Sequence, residues 1–232
     1  MVEKTLLKKL RSCIAGSVLS VACFGVNAHP HSWISMTTQI NENEKQLTGF
    51  DMSWTFDAMT TAYLFDAMTT AYLFDGEDMS KGQRQKTLNK LAQSTIDNML
   101  QSHYFTYFYD ADGTTPIRYK KVTSAELSTS KGKATLTFQL MLSKPYVFNG
   151  NTLTLKVFDP TYYVDMSWDD RQHLVLNQAL KKHCSFKLME PNPTPEQVSY
   201  AMSLPVDADP DNALGQLFTQ AASITCQPSN TP

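Results

Sequence analysis

His29-Pro30-His31 sets two imidazoles within three residues of a chain that holds only five histidines. Imidazole nitrogens are ligands for copper, nickel and zinc. If the chain is cut after Ala28, His29 offers its α-amine and Nδ1 as one chelate, and His31 adds a third nitrogen. Pro30 has no N–H, so a square-planar site that uses the deprotonated amide of the second residue is excluded. The alternative is that these are polar residues near a cleavage point that begin a strand. Oxygen ligands would have to come from elsewhere. The segment Val157-Phe158-Asp159-Pro160-Thr161-Tyr162-Tyr163-Val164-Asp165 supplies Tyr162 and Asp165 as candidates, and Asp51 is a third. The same segment also reads as a core hairpin whose Asp159-Pro160 forms an Asx turn between two apolar strands.

The other histidines carry less. His103 precedes the aromatic run Tyr104 to Tyr109 and reads as a packing residue between helix and strand. His173 and His183 are isolated. The stretch Asp75 to Gly82, DGEDMSKG, lacks the regular oxygen spacing and closing Glu of a calcium loop. No Gly-x-Ser-x-Gly elbow, phosphate-binding loop or His-Glu-x-x-His pair occurs. Catalysis therefore has no support beyond the terminal chelate, which resembles the histidine brace of copper monooxygenases and some periplasmic copper carriers through His29 alone.

The chelate needs a new amino terminus, and the first 28 residues read as a removable signal peptide. Lys4, Lys8, Lys9 and Arg11 precede an apolar or small run from Ser12 to Phe24, and Val26-Asn27-Ala28 is a small-residue cleavage site. Leu19-Ser20-Val21-Ala22-Cys23 is the rival, a lipoprotein box that would acylate Cys23. A membrane-spanning helix needs about 20 apolar residues, and the chain offers no such run. The expected location is the periplasm. Without residues 1–28 the chain keeps 16 basic and 21 acidic side chains, a net charge of -5, which argues against nucleic acid as a partner. Cys184 and Cys226 are then the two remaining cysteines in an oxidising compartment and are expected to form a disulfide.

Period-two alternation predicts strands over Ser32–Ile40, Thr48–Thr55, Ala134–Leu142 and Thr152–Phe158. Helices are expected over Gln83–Ser102, Thr194–Leu204 and Ala213–Ala222. In the second of these, Thr194 is the N-cap, Pro195 the first helical residue and Gln197 the capping-box partner. The fold class is α+β, an antiparallel sheet or sandwich with a few packed helices, and residues 29–232 form one domain. The nonapeptide FDAMTTAYL at 56–64 recurs unchanged at 65–73. Nine residues advance a helix by about 900°, so equivalent residues of the two copies face opposite sides. The duplication reads as a helical insertion.

HPHSWI after the signal peptide, Trp-Thr-Phe-Asp, HYFTYFYDADG, VFDPTYYVDM and two late cysteines together resemble a domain-of-unknown-function family described as the periplasmic component of an uncharacterised ABC-type transport system. The resemblance spans nearly all of the chain after residue 28. It implies transition-metal handling beside a nickel/cobalt exporter-like membrane protein. The leading expectation is an accessory or solute-binding protein that passes a divalent transition-metal ion to or from a membrane transporter, with His29 and His31 as ligands. A metal-free envelope interaction domain and a copper enzyme with an N-terminal brace are the alternatives.

Overall fold

The computed structural model describes residues 29–75, 81–205 and 213–228. The signal peptide, Cys23 and the centre of DGEDMSKG lie outside them. Strands β1 (Ser32–Asn43), β2 (Gln46–Phe56), β4 (Ala125–Ser130), β5 (Lys133–Val147), β7 (Val164–Ser167) and β8 (Leu174–Leu176) form one sheet. Its order is β4-β5-β2-β1-β7, with β8 also paired to β1. Strands β3 (Thr106–Tyr109), β6 (Thr152–Val157), β9 (Cys184–Met189) and β10 (Ala221–Cys226) form a second sheet in the order β3-β6-β10-β9. The helices are α1 (Ala58–Asp75), α2 (Lys81–Met99), α3 (Pro195–Ser203) and the short α4 (Leu214–Leu217). The class is α+β.

Alternation explains the large sheet. Ile34, Met36, Thr38 and Ile40 of β1 are buried, as are Phe50, Met52, Trp54 and Phe56 of β2 and Leu136, Phe138 and Leu140 of β5. Each such side chain contributes about 1.5–3 kcal/mol when fully buried. The core is continuous with Leu153, Leu155, Ala222 and Ile224 of the small sheet and with Leu88, Ala92, Ile96 and Met99 of α2. The α2 residues recur every three or four positions, which puts one helical face against the core. Thr38 lies wholly buried within this apolar layer, where it accepts from Trp168 Nε1 at 3.1 Å.

Four expectations are corrected. β7 and β8 run parallel to β1, so the large sheet is mixed rather than purely antiparallel. Ala213–Ala222 is not one helix. Helix α4 ends at Leu217, and Ala221 and Ala222 enter β10, which pairs on both sides, with β6 and β9. Two-sided strand pairing there overrides alanine's helical propensity. Residues 157–165 do not make a hairpin, because β6 and β7 belong to different sheets and the segment crosses between them. Helix α2 stops at Met99 and passes into a 3-10 turn from Leu100 to Phe105. The capping box at Thr194 and Gln197 forms as expected.

Both copies of the nonapeptide contribute to α1, yet they begin differently. Phe56 closes β2 and Asp57 caps the helix, whereas their twins Phe65 and Asp66 lie inside it. Thr61 is buried and its Oγ1 accepts from Ala134 N at 3.0 Å, while Met59 and Tyr63 are exposed. Cys184 and Cys226 are disulfide-bonded and face each other across β9 and β10.

Candidate functional site

The histidines sit where two chain segments enter parallel strands. Ser32 pairs with Val164 and Trp33 with Asp165, so residues 29–31 run beside residues 161–163. His31 N donates to Tyr163 O at 2.9 Å. The imidazoles of His29 and His31 meet edge to face, with ring centroids 4.8 Å apart, and the Tyr163 ring lies 5.0 Å from His31 and 6.1 Å from His29. His29 is buried, at 4% exposure. Neither of its ring nitrogens has a hydrogen-bond partner, and the buried Nε2 of His31 has none. Burial is the first cause that lowers the His29 pKa below the ordinary imidazole value, and His31 adds to it, against an opposing pull from Asp159. His29 is therefore poised as a neutral nitrogen donor near pH 7.

Two networks hold this geometry. In the first, Asp57 accepts from Met59 N at 2.8 Å, Thr60 N at 2.9 Å and Trp33 N at 3.0 Å. Thr60 Oγ1 also donates to Asp57 and shares a 2.8 Å hydrogen bond with Ser32 Oγ. The cap of α1 is thereby tied to the first residues of β1. Burial opposes ionisation of Asp57, but the bonds from Thr60, Trp33 and Met59 outweigh it and hold the carboxyl below its ordinary range.

The second network shapes the crossing segment. The buried Asp159 carboxylate accepts from Thr161 N at 3.0 Å, Thr161 Oγ1 at 2.9 Å and Val164 N at 3.1 Å. Gly215 N of α4 donates to Pro160 O at 2.9 Å. A Cβ on Gly215 would overlap the Asp159 carbonyl oxygen and approach its carbon to 2.9 Å, so only glycine permits this contact. Tyr162, in the left-handed region at φ 58°, stacks on Phe218 with centroids 4.2 Å apart.

The structure brings His29 and His31 together and leaves the oxygen candidates at differing distances from them. Tyr162 faces Phe218, and burial first, then Asp165, pushes its phenol up to about 12. Asp165 stands beside Trp33 in the β1–β7 register, and burial raises its pKa above the usual carboxylate value. Asp51 is remote. It pairs with Gln39, seven residues along β1 from Ser32 and thus about 23 Å away, and accepts from Gln39 Nε2 at 3.3 Å and Gln139 Nε2 at 3.0 Å. Among the described residues no group of three or more His, Cys, Asp or Glu converges to hold a metal ion. A third nitrogen for the histidine pair would be the α-amine of His29.

The remaining histidines are elsewhere. His173 Nδ1 contacts Asp170 at 2.9 Å, His183 Nε2 lies 3.2 Å from a Glu42 oxygen, and exposed His103 meets the Tyr107 ring at 5.9 Å. Sequence reasoning missed Asp57, Ser32, Thr60, Tyr163 and Gly215 as supports. Only Asp57 had a readable signal, an Asp three residues before Thr60 at a helix start.

The family model described as protein of unknown function DUF1007 matches residues 14–226. The chain belongs to the DUF1007 family. The DUF1007 chain is also 33% identical over 222 residues to an uncharacterised protein of Haemophilus influenzae, covering 94% of this chain and 100% of that one. The match includes the histidine pair, the crossing segment and both bonded cysteines within its span.

Proposed function

We propose that this protein binds a divalent transition-metal ion in the periplasm and passes it to or from a membrane transporter or exporter. The observation that carries the reading is the pair of adjoining imidazoles with three buried, unpartnered nitrogens. Buried polar atoms are ordinarily satisfied, and leaving one unpaired costs about 1–3 kcal/mol, so a ligand that bonds them recovers that cost. His29 and His31 are the primary ligands, and the His29 α-amine joins them once position 29 is the terminus. The lowered pKa of His29 favours this role, because a metal does not then displace a proton near pH 7. Membership in DUF1007 is compatible with the transporter partner, which rests on the resemblance of the sequence motifs.

The test is titration of protein that begins at His29 with nickel, zinc and copper against a competing chelator. One-to-one binding tighter than micromolar, lost when one residue precedes His29, is expected. Tight binding retained by the H29A/H31A variant refutes the assignment. A second reading, a metal-free docking face, is favoured by Trp33 and Tyr163, which stand 47% and 44% exposed beside the pair. Under it, metal binding is absent and the exposed aromatics meet a protein partner.

A further inference from the structure

A cavity whose lining includes neither His29 nor His31 lies at the edges where the two sheets are joined. Residues 116–121 form a strap. Ile117 N donates to Phe108 O at the edge of the small sheet, while Lys120 N donates to Met141 O and Ser143 N to Arg118 O on the large one. Under the strap is a cavity of about 560 Å³. That volume falls within the range of small-molecule sites.

Its lining has an uneven chemistry. Tyr107, Tyr109 and Tyr119 supply aromatic surface, Arg118, Lys120 and Lys121 supply positive charge, and among the described residues no acidic one lines it. Lys121 is engaged by Asp97 at 3.5 Å. Arg118 and Lys120 are exposed and have no carboxylate partner among the described residues. The Tyr119 hydroxyl is buried and lacks a hydrogen-bond partner. Burial holds that phenol neutral, well above its ordinary pKa. The lining also includes His103 and Tyr104, which with Phe105 form three consecutive non-glycine residues at positive φ, 53°, 54° and 53°. Such backbone is unfavourable for L-residues and collects at functional sites.

We propose that this cavity binds a small organic anion with a flat apolar body. The tyrosines contact the body, and Arg118 and Lys120 attract the anionic group. A ring system stacks on tyrosine faces and a carboxylate or sulfonate suits the guanidinium fork. Its lining shares no residue with the histidine pair or the crossing segment.

The experiment titrates the natively purified protein with 8-anilinonaphthalene-1-sulfonate, and in parallel with neutral N-phenyl-1-naphthylamine, by fluorescence. Saturable one-to-one binding of the sulfonate is expected. R118Q/K120Q, which alters two exposed side chains and leaves the melting temperature unchanged, weakens it by about tenfold or more. The neutral probe is unaffected by R118Q/K120Q, and H29A/H31A leaves both titrations unchanged. Absence of saturable binding, unchanged affinity in R118Q/K120Q, or equal weakening of both probes overturns the proposal.

Discussion

Gly215→Ala tests how the histidine segment is held. Gly215 lies in α4 with ordinary negative φ, so alanine there would gain about 1 kcal/mol of helical propensity if nothing were nearby. The new Cβ instead meets the Asp159 backbone, with the Phe158 ring at 3.1 Å as well. Backbone cannot rotate aside as a side chain can. Overpacking of this kind costs about 1–3 kcal/mol, and separating the segments stretches the Gly215 N to Pro160 O hydrogen bond, worth about 1 kcal/mol. The helical gain offsets part, leaving a net loss of about 2 kcal/mol, which for a chain of this size lowers the melting temperature by about 4–8 °C. Since Asp159 and Pro160 lead directly to Tyr163, whose carbonyl receives His31 N, displacement also disturbs the imidazole pair. The assays are urea unfolding and metal titration of the same variant. An unchanged or raised urea midpoint with constant slope would refute the close approach of α4 to the crossing segment.

Three other outcomes are expected. Removing the disulfide in C184A/C226A lowers unfolding free energy by about 4 kcal/mol, because the bond closes a loop of sequence separation 42; a loss below about 1 kcal/mol in denaturant melts contradicts this. Asp57→Ala removes the cap of α1 and the acceptor for Trp33 N, costing about 1–2 kcal/mol by thermal unfolding, and leaving stability unaltered would show that the network with Ser32 is idle. Asp165→Asn is expected to stabilise the protein at pH 7. The folded carboxyl has a raised pKa through burial, so between the ordinary carboxylate value and the raised one the folded chain holds a proton that the unfolded chain has released. Ionisation thus withdraws stability as pH rises through that window, and the variant's advantage should vanish near pH 3. A pH-independent difference would point to lost contacts instead.

Much of the large sheet was legible because one face is buried: Ile34, Met36 and Ile40 alternate with Trp33, Ser35 and Gln39 strongly enough to fix strand and face together. The Thr194 cap was equally local. The meeting of His29 with His31 follows from their spacing, but their burial does not, since it depends on Tyr163 arriving from the other end of a parallel pair. Asp51 looked eligible because sequence gives no account of distance along a strand. Residues 157–165 misled for a related reason, as apolar runs on both sides of a turn describe a hairpin and a crossing between sheets equally well. At Ala221 and Ala222, local preference pointed to helix, and neighbours from β6 and β9 decided otherwise.

The doubled nonapeptide has a practical meaning. One stretch of nine residues ends a strand and caps a helix, while its identical copy continues that helix, so context and not composition assigns the fate of each. Because the anchoring contacts of Asp57 and Thr61 come from the first copy, the added turns begin beyond the joint that they leave undisturbed. Helix α1 is thus fastened to the sheet at its first turn, so its length can change by whole repeats while the joint through Asp57 and Thr61 stays the same.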